Sequence, residues 1–363
     1  MLVDELRGVW QDAEFFGCAG PRMRRAGVRA VIEAESLAVV GLVEVVAHLP
    51  RIYGQYRKLL EAARRTPPDL AILTDSPDFH LRVARQLKRL GVPVLYLVAP
   101  QVWAWRKGRI PLIRRVVDRL LCIFPFEEAF FREHGIPASY IGHPLAGKMR
   151  PAMQKSEFFR KHRLDPSRQL VTVLPGSRKG EAARHLPVLL DAVERIYRQQ
   201  VTHFLLPASE TTGSAFFRDR IGGAPIQVME GETWDAIAHA DLALAASGTV
   251  TIEAALAGTP MITYYKVSPL SWLAGRLMIR VPFYSMVNLV AGRAVVPELM
   301  QTEMTGERLA DEALRLLTDA AARERMREDL GEVAGRLSGK GHAIANAVAL
   351  VEELMEGHAA HVS

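Results

Sequence analysis

ASGTVTIEAALAGTP, residues 246–260, is the stretch on which the reading of this chain turns. The apolar run 242–246 before it predicts a buried strand. Ser247-Gly248-Thr249 predicts a turn. From Val250 the residues are good helix formers, and Gly258 with Pro260 predict the helix end. A strand that ends in Ser-Gly-Thr and opens a helix presents backbone N–H groups at the positive end of a helix dipole. Phosphate binds there. Glu253 falls one turn further on the same face as Thr249, where a carboxylate suits ribose hydroxyls beside a diphosphate. An ordinary strand–turn–helix with an N-cap serine fits the same residues, and a short glycine turn alone does not separate the two readings.

A second turn of this kind lies upstream. Residues 170–174 predict a strand, and Pro175-Gly176-Ser177-Arg178-Lys179-Gly180-Glu181 follows it. Arg178 adds what a bare helix terminus lacks, since a guanidinium grips a diphosphate bidentately. The P-loop spacing is absent. Further strands are predicted at 202–206, 226–229 and 261–265, with helices between them. Strand and helix alternate along the whole chain, which argues an α/β protein with parallel sheets. In one sheet the two glycine turns face one crevice, and each then supports the phosphate reading of the other.

The chain has 363 residues, 49% of them hydrophobic, enough for two domains of ~150 residues each. No apolar stretch reaches the ~18 residues of a membrane span. The start, MLVDELRGVW, carries charges at positions 4, 5 and 7 and is unlike a secretory signal. Cys18 and Cys122, the only cysteines, form no metal or redox motif. A cytoplasmic protein is expected. The formal charge is +6 and the pI about 9.4, which favours anionic partners: a phosphorylated substrate, an anionic membrane surface or nucleic acid.

In the first half, strands are predicted at 14–19, 28–32, 70–74, 92–98, 120–124 and 139–141. The apolar residues between 37 and 60, followed by Arg51, Arg57 and Lys58, fit either a core helix or an amphipathic membrane-surface segment. Asp75-Ser76-Pro77-Asp78-Phe79-His80 follows the strand 70–74. Ligands of doubly wound sheets bind beyond the carboxyl ends of strands, so Asp75, ahead of Asp78 and His80, is a candidate general base, although Asp75 or Ser76 could equally cap the next helix. The strand 92–98 ends in APQVWAWRKGR (99–109), where Trp103 and Trp105 suit sugar rings or acyl chains and Arg106, Lys107 and Arg109 suit phosphate. Nucleic-acid modules usually spread their aromatics over a sheet face instead, and no nucleic-acid partner is expected. His143, after the strand 139–141, reads as structural.

Nine segments, in order and spread over nearly the whole chain, resemble the lipid-A-disaccharide synthases: CAGPRM (18–23), LAVVGLVEV (37–45), TDSPDF (74–79), PQVWAWR (100–106), FPFE (124–127), IGHP (141–144), LPGSR (174–178), ASGTVTIE (246–253) and NLVAGR (288–293). The resemblance implies a GT-B fold, two Rossmann-like domains facing a central cleft. Residues 1–148 would form the acceptor and membrane-facing domain and 149–341 the UDP-sugar domain, with a helix at about 342–357 packing back on the first. It implies an inverting transferase that moves 2,3-diacylglucosamine from UDP-2,3-diacylglucosamine to 2,3-diacylglucosamine 1-phosphate (lipid X).

Roles follow residue by residue from that resemblance. Ser247, Gly248 and Thr249 with Arg178 would hold the diphosphate, Glu253 the ribose, and Asn288 and Arg293 would complete the donor site. Asp75 would be the general base. Trp103, Trp105, Arg106, Lys107 and Arg109 would meet the acceptor, the cations by charge alone. No cofactor and no metal are required. The stripe 37–52 resembles a membrane-facing patch in which Val43, Val46, Leu49 and Ile52 dip in while Arg51, Arg57 and Lys58 meet anionic headgroups. The enzyme would sit peripherally on the cytoplasmic face of the inner membrane, with a homodimer built on the helical C-terminus as one arrangement.

The family begins with a strand and a G-E-x-S-G-D loop that are not found here, so the first domain is expected to miss its first, central strand. Two other readings share the fold: an enzyme like UDP-N-acetylglucosamine 2-epimerase, and a UDP-sugar binder without catalysis. The WAWR loop and the apolar stripe argue against the epimerase.

Overall fold

The runs LVTVL (170–174) and LALAA (242–246), apolar but for Thr172, become neighbouring strands at the centre of a parallel sheet, every residue of both buried. Strands covered on both faces need no polar alternation. The structure is a computed structural model and describes residues 1–37, 42–269, 272, 273, 275, 279 and 281–362. The chain divides into two units: Met1–Pro144 with Gly339–Ser363, and Leu145–Ser338.

In the first unit, β1 (Phe16–Ala19) and β2 (Arg29–Glu33) form a parallel pair. The strands β3 (Ala71–Thr74), β4 (Val94–Leu97), β5 (Arg119–Cys122) and β6 (Ala138–Tyr140) form a second parallel sheet in that order. Among the described residues the two sheets share no backbone hydrogen bonds, so one edge of β1 and one of β3 have no strand neighbour. Helices Pro77–Arg89, Ile110–Val116 and Pro125–Glu133 make the crossovers. Each carries proline in its first turn, where the missing N–H would have had no helical partner.

The C-terminal helix Ala343–Val362 returns to this unit. Ala347, Val348 and Val351 pack with Leu6, Leu95, Leu121 and Ile141. Each valine, leucine or isoleucine side chain so buried contributes about 1.5–3 kcal/mol. Asn346 Nδ2 donates to the Ile141 carbonyl at 2.9 Å, and Arg119 pairs with Glu353 at 2.8 Å. The helix thus completes the core of its own chain.

The second unit contains β7 (Leu170–Leu174), β8 (His203–Ala208), β9 (Gln227–Glu230), β10 (Leu242–Ala246), β11 (Met261–Tyr265) and β12 (Glu298–Met300). Their order is β12-β11-β10-β7-β8-β9, all parallel. From β7 the chain builds outward through β8 and β9, then crosses back to β10 and builds outward the other way. The order therefore reverses between β7 and β10, and the crevice beyond their carboxyl ends is where such sheets bind ligands.

Candidate functional site

That crevice is a cavity of about 380 Å³ lined by residues 174–177 after β7, by residues 246–250 after β10, and by Glu181, Trp234 and Glu253 among others. The turn after β10 is held from two sides. Ser247 N–H donates to the Tyr264 carbonyl at 2.8 Å and its hydroxyl to the Tyr284 carbonyl at 3.0 Å. The serine hydroxyl is therefore spent outward and does not cap the helix. Gly248 is the N-cap of helix Thr249–Leu256, and no side chain caps it. The N–H groups of Thr249 and Val250 donate to nothing among the described residues. Orphan donors at a helix start are normally satisfied by a cap, water or ligand, and together with the dipole they form an anion site.

The facing turn rests on a buried histidine. His185 Nε2 accepts from Lys266 N–H at 3.0 Å, so its proton sits on Nδ1, which donates to the Pro175 carbonyl at 2.9 Å. Burial holds this imidazole below its ordinary pKa, outweighing its backbone bonds, and the neutral ring locks β7's exit to the end of β11. Gly176 has φ +112°, and a Cβ there would lie 2.6 Å from the Glu181 carboxyl group. A side chain at this position would strain the backbone and crowd the cavity wall.

Glu253 is half-buried on the helix, one turn beyond Thr249. Burial raises its pKa, with the Trp234 indole opposing. A desolvated carboxylate wants hydroxyl donors, which a ribose offers. Arg178 lies just outside the lining, exposed at the N-cap of helix Lys179–Gln199, and has no ion-pair partner among the described residues. Its guanidinium is available at the rim.

In the first unit, Asp75 follows β3 and is exposed, its carboxylate unpaired among the described residues. Asp78 pairs with Arg106 at 2.9 Å and with Arg109. Burial would raise the Asp78 pKa, but the two guanidinium groups outweigh it and hold the carboxyl below its usual range. Arg106 also stacks on the Trp105 ring, 4.3 Å from its centroid. Trp105, Arg106, Arg109 and Asp78 are thus one cluster, already partly neutralised. Lys107 is exposed and makes no ion pair among the described residues.

Trp103 departs from expectation. It is buried, its Nε1 donates to Glu127 Oε1 at 3.0 Å, and its ring meets Phe126 edge-on at 4.9 Å. The indole is consumed inside the unit and offers no face to an acceptor. Glu127 also accepts from Phe124 N–H at 3.2 Å, so one carboxyl group joins the loop after β4 to the loop after β5. Burial pushes it up to about 7 against those hydrogen bonds. His143 is buried as well, and desolvation alone pushes it down to about 4.

The sequence matches the family described as lipid-A-disaccharide synthetase over residues 1–346. The chain belongs to that family. The lipid-A-disaccharide synthase of Solibacter usitatus (strain Ellin6076) is 64% identical over 363 residues, covering 100% of this chain and 95% of that protein. Among solved structures, the kitacinnamycin glycosyltransferase is similar with a TM-score of 0.65 at 16% identity, covering 98% of this chain and 94% of its own. A putative UDP-N-acetylglucosamine 2-epimerase from Listeria monocytogenes is similar with a TM-score of 0.63 at 14% identity, covering 98% and 92%. These two speak for the fold alone, which is GT-B.

Within this lipid-A-disaccharide synthetase family member, Ser247, Gly248, Thr249 and Glu253 come together at the cavity. Asn288 and Arg293 do not line it. Asn288 is 1% exposed, accepts from the N–H groups of Val295 and Val296, and donates to the Val296 carbonyl and to Glu298. It folds the segment after its helix. Arg293 pairs on the surface with Asp329 and Glu332. Trp234 and Glu181 line the cavity without having been singled out by motif. Trp234 opens the helix Thr233–Ala238 that follows β9, so the carboxyl-end rule that found the other residues also points to it.

Among the described residues no three or more His, Cys, Asp or Glu side chains are grouped so as to hold a metal, and no helix is long and apolar enough to cross a membrane. On helix Leu42–Arg65, Leu49 and Tyr53 are 50% and 61% exposed. Arg51, Arg57 and Lys58 are exposed and Ile52 is half-buried. The side chains of Val43 and Val46 lie outside the described residues.

Proposed function

We propose that this chain transfers 2,3-diacylglucosamine from UDP-2,3-diacylglucosamine to the 6-hydroxyl of lipid X with inversion, giving the lipid A disaccharide 1-phosphate and UDP. The observation that carries it is the uncapped helix start at Thr249 facing the Gly176 turn at the strand-order switch, in a chain matched by its family over 346 residues. UDP's diphosphate lies against the Thr249 and Val250 N–H groups, with Arg178 closing from the rim and Glu253 on the ribose. Asp75 takes the acceptor hydroxyl's proton as the oxygen attacks the anomeric carbon. The bond to the β-phosphate oxygen breaks, and its electron pair leaves with UDP. Donors preorganised on the leaving group commonly make the largest catalytic contribution, and a base within reach adds ~10²–10⁴-fold.

Both substrates carry acyl chains, so the exposed Leu49 and Tyr53 with their neighbouring cations are read as the face that rests on the anionic inner leaflet, with no spanning segment required. The test is UDP release with both lipids present, in wild type and Asp75→Ala. Turnover should fall by at least a hundredfold in the variant while UDP affinity stays within about twofold. Normal turnover in Asp75→Ala removes it as the base. UDP binding by the wild type without any lipid-dependent release favours a binder without catalysis.

A further inference from the structure

The turn that carries Asp75 is in conflict with its own residue types. Asp75 and Ser76 have φ +51° and +37°, two successive non-glycine residues in the left-handed region. Aspartate visits that region more readily than most residues, but for consecutive L-residues it is unfavourable. The turn also gives up a cap. Ser76 is the N-cap of helix Pro77–Arg89 yet makes no side-chain cap bond, because a capping serine needs an extended backbone. Left to itself, this sequence would relax to an ordinary serine-capped helix start.

The Asp75 carbonyl is what the structure grips. The Tyr96 hydroxyl donates to it at 2.7 Å and His80 Nδ1 approaches it at 3.0 Å. Tyr96 lies on β4 beside β3, in register with Leu73, and is 1% exposed. Its ring is therefore fixed by packing, and only its oxygen reaches the turn. Strain kept at a strand end by a dedicated buried donor is the pattern of a functional position.

We propose that Tyr96 is a positioning residue for Asp75: its hydroxyl, with the His80 ring, clamps the Asp75 carbonyl and holds the left-handed turn that presents the carboxylate beyond β3. The assignment rests on the reading of Asp75 as the base. Tyr96→Phe removes one oxygen and keeps the packed ring. Steady-state kinetics of the full chain with both lipid substrates should show kcat reduced ~10–100-fold, as for a reacting group misplaced by about 1 Å, with KM for both substrates within about twofold. Ser76→Gly in the Tyr96→Phe background should restore most of kcat, because glycine takes positive φ without penalty. A need for the hydroxyl elsewhere in the fold would not respond to glycine in this turn.

A kcat within twofold of wild type, a loss that falls in KM, or no restoration by Ser76→Gly would overturn the assignment. Should Tyr96→Phe not fold, His80→Ala removes the second contact to the same carbonyl and should lower kcat in the same way; an unchanged kcat there overturns the clamp. Asp75→Ala is measured alongside. Normal turnover in it overturns both readings, whereas loss there with full kcat in Tyr96→Phe overturns the clamp alone.

Discussion

Replacing Glu127 by glutamine should change how the first unit's stability depends on pH. The carboxyl group is 1% exposed and accepts from Trp103 Nε1 and Phe124 N–H. Burial raises it from 4.5 to about 7. Between those values the folded chain binds a proton that the unfolded chain has released. The contribution to stability is full below pH 4.5 and is lost as pH rises through 7. At ~1.4 kcal/mol per tenfold change in proton affinity the shift corresponds to roughly 3 kcal/mol, most of it lost between pH 5 and 8. Glutamine has no charge to bury, so the variant should gain on wild type by roughly 2–3 kcal/mol over that interval. Its amide nitrogen faces one of the two N–H donors, a pH-independent loss of about 1 kcal/mol. His143, also buried in this unit, is common to both proteins and cancels. The assay is denaturant unfolding at pH 5, 6, 7 and 8 and constant ionic strength, with exchange of the Trp103 indole proton as the local report. Stability curves that stay parallel within about 0.5 kcal/mol from pH 5 to 8 would refute a buried, high-pKa carboxyl at this position.

Two further outcomes separate residues that sequence alone groups together. Asn288→Ala strands the Val295 and Val296 N–H groups, at about 1–3 kcal/mol for each buried group, and should lower the melting temperature by several degrees in calorimetry. Arg293→Ala removes only solvent-screened surface ion pairs and should leave the melting temperature close to that of wild type, with UDP affinity unchanged in titration calorimetry. Reversing Arg51, Arg57 and Lys58 to glutamate should weaken sedimentation with anionic vesicles by at least a hundredfold at low salt, at about 1 kcal/mol per cation removed and more for each anion added. Binding to neutral vesicles should not change, and equal sedimentation of variant and wild type with anionic vesicles would remove this face from membrane contact.

Much of the architecture is written locally. Apolar runs without alternation, broken only by Thr172, mark β7 and β10, because strands buried on both faces need no polar side. Gly-containing turns after those strands mark the crevice, since only a turn of that kind frees N–H groups there. The prolines opening three helices of the first unit and the motifs along the chain are equally legible. So is the pairing of Ser247–Thr249 with Glu253, which depends only on helical spacing.

Side-chain partners across the fold are a different matter. Trp103 and Trp105 stand two residues apart in one loop, yet one donates to Glu127 in the interior and the other lies exposed under Arg106. No periodicity in the loop distinguishes them, because the difference is made by a carboxylate 24 residues away. Asn288 and Arg293 share a motif, but one is consumed by its own segment and the other by the helix Ala320–Ser338. The left-handed turn at Asp75 runs against the preference of its own residues and is held by Tyr96 from the next strand. Local sequence limits the conformations each segment can take. Which donor meets which acceptor, and therefore which group is free to meet a substrate, depends on contacts that exist only once the strands are side by side.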